Sequence, residues 1–400
     1  MWYLYIILAI IVLYVILCAY IKIKFHFWSL QPVFHIYDFM YWIKPPGIIN
    51  SDLPEINRYT NLLDITTQDI ENINDTTATR TCNFINSYYL RSKDTKYMPT
   101  KENIMEYFKG SNHHSYLTLY KEPKLLFIKG EPNTAIDDYK AILTGRPLYI
   151  TLKGKKTFPT YYVDNLCVHP DHRKKGIAPR AIQTHYYNLR KLNKKIKTCL
   201  FKREGNMTAI VPLTTYTTIG YELSDSLSDF LNLERLPHAS MCVIEITDKN
   251  MQLFAEFIQS NVKRFDCVVL PEIPNLLNLI KTNNLYIYGI VEHHNLIAAY
   301  VFRNPSVKYD EIHKTLECIT TLFTCHHKEI FTTGFNIALQ MCRKHINASR
   351  LLIENTAHSK DIIDRYKRMN IKIFTSSPTA FFLYNYACYT CSSESSLFLY

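Results

Sequence analysis

Residues 1–21, MWYLYIILAIIVLYVILCAYI, contain no charged side chain. A helix satisfies every backbone N–H and C=O of such a stretch within the segment itself, which is what a hydrocarbon environment demands. At ~1.5 Å per residue, a helix of this length covers a hydrocarbon core of ~30 Å. A cleaved signal peptide is the competing reading. It needs a basic start and a small-residue cleavage site, and Trp2-Tyr3 followed by bulky residues provides neither. Lys22 and Lys24 flank the C-terminal end, so the positive-inside rule leaves the rest of the chain in the cytosol. The expectation is a single-pass anchor over 1–24, with residues 1–21 in the membrane and the body facing the cytosol.

The remainder is a globular chain. With 47% hydrophobic and 20% charged residues it can bury a sizeable core, and 400 residues correspond to roughly two or three domains. A net charge of +11 favours anionic partners: phosphates, nucleic acid or an acidic membrane surface. Eleven cysteines are scattered singly, as suits a reducing compartment. Sequons at Asn74, Asn206 and Asn347 are expected by chance in an Asn-rich chain.

After a Pro-punctuated segment, apolar spacing predicts helices near 79–91 and 101–109. Short β-rich runs follow at 115–120, 124–130, 146–154 and 161–169. A helix of about fifteen residues starts near Ile177 and ends in basic residues, and the strand KTCLF comes next. The second half repeats this order. It runs through a strand at 241–247, a helix with Asp248 as its N-cap, a second helix IPNLLNLIK, and strands at 285–292, 296–303 and 316–323. A long helix, the strand RLLI, a helix and a last strand AFFLYNY complete it. The duplication predicts an α+β chain, with the break near LERLPHAS (233–240), rather than a parallel nucleotide-binding fold.

The densest functional signal is NLCVHPDHRKKGIAPRAI (165–182), which spends one of only 10 glycines. A strand ends at Val168-His169, and a helix starts near Ile177. Small residues at 176 and 178 let backbone N–H groups curl around a phosphate, the helix N-terminus adds partial positive charge, and Arg173, Lys174 and Lys175 add full charges. The competing reading is a solvated basic turn.

This pattern resembles motif A of the GNAT-type acyltransferases. The same stretch resembles the LCVH…R.K..AP signature of the glycylpeptide N-tetradecanoyltransferases (N-myristoyltransferases), which are tandem GNAT-like folds. FHFWSLQPV (25–33) is similar to that family's N-terminal FW.TQPV, and FFLYNYACYTCSSESSLFLY (381–400) to its YYLYNW.C segment near the chain end. The resemblance covers residues 25–400. It implies an N-terminal lobe over 25–240 that binds acyl-CoA, and a C-terminal lobe over 241–400 on the peptide side. By position, His26, Phe27 and Trp28 match the CoA-contacting segment. Arg173, Lys174, Lys175, Gly176, Ile177 and Ala178 match the pyrophosphate loop. Asn165 and Leu166 match the two residues whose main-chain N–H groups form the oxyanion hole. Tyr400, the last residue, matches the position whose α-carboxylate is the general base. The resemblance implies myristoyl-CoA as donor substrate, no permanently bound cofactor and no metal, and proteins with an N-terminal glycine as acceptors. The family's YTAG strand, its groove aromatics and its late Gly-Asp-Gly have no counterpart in KREGNMTAIVPLTTYTTIGYEL (202–223) or Thr375-Ser376-Ser377.

Other constellations are weaker. Cys388-x-x-Cys391 is a lone pair without a second set of zinc ligands. Cys325-His326-His327, His113-His114 and His293-His294 read as surface loops. The basic run 190–198 lacks the interleaved aromatics of a nucleic-acid surface and reads as a solvated helix end, so no specific nucleic acid is expected. Two rival functions remain at this point: an acetyl-CoA-dependent GNAT enzyme, and an inactive membrane-tethered binder of acyl-CoA or peptide.

Overall fold

A computed structural model of the chain describes residues 2–90, 95–126, 134–205, 208–224, 234–310, 313–324 and 327–400. The sequon at Asn206, the Cys325-His326 pair, Leu233 and part of the run 124–130 lie outside the described residues.

The first helix, α1 (Trp2–Lys24), is 23 residues long, and Ile21 is the one residue in it that is buried. Its length and composition suffice to cross a membrane, and its exposure separates it from a core helix of the body. The Tyr14 hydroxyl donates to the Tyr37 carbonyl at 2.7 Å, tying α1 to the segment that holds the short helix α2 (Phe39–Ile43). The helix expected at 79–91 is α3 (Asp75–Tyr88), which starts earlier because Asn74 caps it by accepting from the Thr77 N–H. A Thr100–Asn103 capping box starts α4 (Lys101–Met105), and a 3-10 turn to Phe108 replaces the rest of the expected helix.

Strands in the first half are β1 (Gly47–Ile48), β2 (Ile65–Asp69), β3 (Thr95–Tyr97), β4 (Tyr116–Leu126), β5 (Thr134–Leu152), β6 (Phe158–Val168), β7 (Cys199–Glu204) and β8 (Thr214–Glu222). The helix α5 (Ile177–Leu192) joins β6 to β7. The second half contributes β9 (Met241–Ile246), β10 (Cys267–Leu270), β11 (Leu285–Glu292), β12 (Asn295–Arg303), β13 (Val307–Tyr309), β14 (His313–Phe323), β15 (Arg350–Glu354), β16 (Ile373–Tyr384), β17 (Tyr386–Ala387) and β18 (Ser396–Phe398). Its helices are α6 (Met251–Asn261), α7 (Ile273–Lys281), α8 (Lys328–Ile346) and α9 (Ser359–Arg368). Asn250, not Asp248, stands at the start of α6, where its side chain accepts the Thr247 N–H.

Among the described residues, sixteen strands join in one sheet, and the two halves repeat one plan. An antiparallel run ends in a parallel pair whose connection is the long helix: β2-β4-β5-β6 then β7 through α5, and β9-β11-β12-β14 then β15 through α8. The last strand of each unit crosses over. β16 from the second half pairs β7, β8 from the first pairs β15, and β8 and β16 pair each other. The two units therefore share a backbone seam, and neither completes its sheet alone.

The parallel pair β6–β7 is in register only at Tyr161–Cys199 and Tyr162–Leu200, after which the strands diverge. In the second half, α8 packs directly onto β11 and β12. Gly334 on α8 lies so close to the sheet that a Cβ would stand 2.4 Å from Ile290 Cδ1, and the Tyr300 hydroxyl caps the Phe331 carbonyl at 2.6 Å. Among the described residues, the β6–β7 divergence opens a gap in the first half.

Candidate functional site

The gap holds a cavity of about 170 Å³. Val163, Asp164 and Leu166 line it from β6, Cys199, Phe201 and Lys202 from β7, and Ile182, His185 and Tyr186 from α5. Trp28 and Tyr384 cover further sides. The walls are mostly apolar, and α5 contributes Ile182 and Tyr186 from its inward face.

A bulge in β6 forms one edge. Thr144 pairs Asp164 and Ile142 pairs Cys167, so Asn165 and Leu166 fall between register points, and Asn165 takes φ +55°. The Asn165 side chain is buried and donates to Thr144 Oγ1 at 3.0 Å. Leu166 reaches the cavity. The Asp164 carboxylate accepts the Asn165 main-chain N–H at 2.7 Å and the Tyr89 hydroxyl at 3.1 Å. The amide matched to an oxyanion hole is therefore already engaged by an anion.

The basic loop lies between the end of β6 and the start of α5. Lys174 and Gly176 both have positive φ, +61° and +73°, and Gly176 precedes α5 with no side-chain cap on the helix. The first N–H groups of α5 are thus left without a side-chain acceptor, and Pro179 removes one donor that would otherwise need a partner. Arg173 is committed in part: its Nε donates to the Val168 carbonyl at 3.1 Å and its Nη2 to the Tyr88 carbonyl at 3.0 Å, lacing the loop to the end of α3. Lys174, Lys175 and Gly176 are exposed, Ala178 is half-buried, and Ile177 is buried against the sheet.

Of the N-terminal trio, Trp28 stacks on Phe201 at 5.7 Å and lines the cavity, Phe27 packs edge-on against Trp28 and Tyr59, and His26 is exposed. Tyr400 is buried, at 2% exposure. Its ring lies 5.4 Å from Tyr162 and 5.1 Å from Phe381, and its hydroxyl donates to Glu354 Oε1 at 2.6 Å. Lys202 lines the cavity and also holds Glu354 at 2.6 Å, so one side chain connects the gap to the chain end.

Three groups of this region escaped the sequence reading. Asp164 is the one charge inside the mostly apolar YYVDNLCV, a visible signal. His185 sits on the apolar face of α5 with Ile182, Tyr186 and Leu189. Burial lowers its pKa to about 3, so it is a neutral imidazole, with Nδ1 at 2.7 Å from Thr118 Oγ1. Glu354 had no sequence signal, since its partners Lys202, Tyr216 and Tyr400 are all far away in the sequence.

The architecture defines an α+β, tandem GNAT-like fold that follows an apolar N-terminal helix. At the level of sequence, the chain matches no family model and no curated protein. Structures of Saccharomyces cerevisiae N-myristoyltransferase are similar in fold. One with bound myristoyl-CoA superposes with a TM-score of 0.71 at 13% identity, over 94% of this chain and 92% of that one. Another with bound myristoyl-CoA gives 0.68 at 13% identity, over 92% and 94%. A third, with myristoyl-CoA and inhibitors, gives 0.68 at 13% identity, over 92% and 91%.

Proposed function

We propose that the chain is a divergent N-myristoyltransferase-like enzyme, transferring a tetradecanoyl group from CoA to the α-amine of an N-terminal glycine. The observation that carries this reading is the apolar cavity at the β6–β7 divergence, with the Asn165–Leu166 bulge on one edge. The similarity of the whole fold to structures holding myristoyl-CoA supports it.

In this reading the acyl chain enters the cavity beneath Trp28, with His26 and Phe27 beside the CoA. The diphosphate lies on the loop Arg173–Ala178, where exposed cations and the amides of the α5 N-terminus meet it. An N-terminal amine has a pKa of ~7.7–8.0, so a fraction is already neutral at pH 7. The neutral amine attacks the thioester carbon. The main-chain N–H groups of Asn165 and Leu166 hold the oxyanion, with the Asp164 carboxylate letting go of the Asn165 amide. As the C–N bond forms, the C–S bond breaks and CoA leaves as the thiolate. The Tyr400 α-carboxylate takes the amine proton. Residues 1–24 form the membrane anchor, 25–240 the lobe that binds acyl-CoA, and 241–400 the lobe on the peptide side, with the body in the cytosol.

One observation favours a second reading, binding without turnover: the carboxylate already on the Asn165 amide. CoA release separates the two. The full chain in detergent, given myristoyl-CoA and a peptide starting in glycine, is expected to release CoA, faster than with acetyl-CoA. Acyl-CoA binding with no release from either donor establishes the second reading instead.

A further inference from the structure

We infer that the side chain of Tyr400 is a positioning group: a buried quartet of charges, Lys202, Arg303, Glu317 and Glu354, grips its ring and hydroxyl and thereby fixes the α-carboxylate of the same residue. The inference rests on the proposed function, in which that carboxylate receives the amine proton.

Residues 396–400 are tied into the sheet. β18 lies parallel to β10, and the Leu399 N–H donates to the Val269 carbonyl at 2.9 Å. Leu397, Phe398, Leu399 and Tyr400 are each at most 2% exposed. Among the described residues, the last main-chain hydrogen bond of this segment is that of Leu399, and Tyr400 is held through its side chain.

That side chain meets charges on several sides. Glu354 Oε1 accepts from the Tyr400 hydroxyl and from Lys202 Nζ, both at 2.6 Å, while Oε2 accepts from the Tyr216 hydroxyl at 3.1 Å. The Arg303 guanidinium stands 4.8 Å above the Tyr400 ring, with Nη2 at 3.4 Å from the hydroxyl oxygen. Arg303 Nε donates to Glu317 Oε2 at 2.5 Å, and Lys202 Nζ is 3.9 Å from Glu317 Oε1 and 5.5 Å from the ring centroid. The four side chains are between 0% and 19% exposed.

Two cations and two carboxylates meet here, from β7, β12, β14 and β15, both halves of the chain, and the more exposed Glu204 Oε1 also lies 3.2 Å from Lys202 Nζ. A buried ionic group of this kind contributes little net stability, because desolvation offsets attraction. It is costly to unbalance, so its geometry is strongly fixed. An apolar last residue would fill the same space without using Glu354. Only a hydroxyl at the far end of a ring couples the chain end to the quartet. Lys202 also lines the cavity, so the same device keeps the chain end in register with the bound donor.

The test uses the full chain and Tyr400→Phe, which keeps the ring and alters no charged side chain. Losing a hydrogen bond to a charged partner is expected to lower kcat about tenfold or more, with the KM for acyl-CoA within about twofold of wild type. A chain extended by one alanine beyond Tyr400 is the companion, and it is expected to lose turnover while still binding acyl-CoA. Extension that abolishes turnover while Tyr400→Phe works at the wild-type rate overturns the positioning role and leaves the carboxylate as base. Extension without effect overturns both. A Tyr400→Phe loss confined to melting temperature, with kcat unchanged, marks the quartet as structural only and also overturns the inference.

Discussion

The main-chain N–H of Asn165 donates to the carboxylate of Asp164, its own neighbour, at 2.7 Å. The bulge in β6 turns this amide away from the ladder, and Asp164 collects it together with the Tyr89 hydroxyl. For the amide to stabilise an oxyanion, a hydrogen bond to a full negative charge must first break. Such bonds contribute ~1.5–3 kcal/mol, against ~0.5–1.5 kcal/mol for a neutral pair.

Asp164→Asn is therefore expected to raise kcat about fivefold, the equivalent of ~1 kcal/mol. Acyl-CoA affinity should not change. Steady-state CoA release at saturating donor measures it. A fall in kcat would mean that the carboxylate itself takes part in the reaction.

Lys174 and Lys175 are the exposed cations of the loop, while Arg173 is partly spent on the Val168 and Tyr88 carbonyls. Replacing both lysines by alanine is expected to weaken acyl-CoA binding about tenfold or more at low salt. The difference should shrink at 1 M salt, where the screening length is ~3 Å. Titration of binding at two ionic strengths reads the effect. A loss independent of salt would assign the lysines a packing role.

Leu143 on β5 lines the cavity. Leu143→Phe should displace about two methylenes of the donor, at ~0.8 kcal/mol each. Tetradecanoyl transfer then falls roughly ten- to twentyfold relative to decanoyl transfer. Comparing kcat/KM for the two donors tests the placement, and an unchanged ratio would put the acyl chain elsewhere.

His185 is held neutral, with its pKa pushed down to about 3 by burial. The unfolded chain protonates it near 6.5, so below that pH the unfolded state binds the extra proton. Stability from this group is fully present above 6.5 and falls by ~1.4 kcal/mol per pH unit as pH drops towards 3. His185→Phe should flatten the urea midpoint between pH 6.5 and 4.5. An equally steep profile in the variant would show that other groups set the acid limit.

Much of the plan was legible in the chain itself. The hydrophobic rhythm around Ile177–Leu192 and Lys328–Ile346 marks the two long helices, and their placement after strand runs reveals the repeat. β5 begins well before the run expected at 146–154, because Asp137, Asp138 and Gly145 suppress a strand signal that pairing with β4 supplies. β8, β10 and β18 were not read as strands. Each is short or Thr-rich and becomes a strand through partners far away in sequence, β15 and β16 for β8, and β5 for β10. The loop Arg173–Ala178 stood out because its residues are contiguous. The Lys202–Glu354–Tyr400 contacts did not, since the three side chains come from distant parts of the sequence.

The proposed activity is covalent transfer to an N-terminal glycine. The most direct measurement is the mass of the peptide product after incubating the full chain with myristoyl-CoA and paired peptides differing only in Gly or Ala at the first position. The expected product carries one tetradecanoyl group on the α-amine of the glycine peptide, and the alanine peptide carries none. Equal modification of both, modification at a lysine, or an unmodified glycine peptide despite bound donor would contradict that activity.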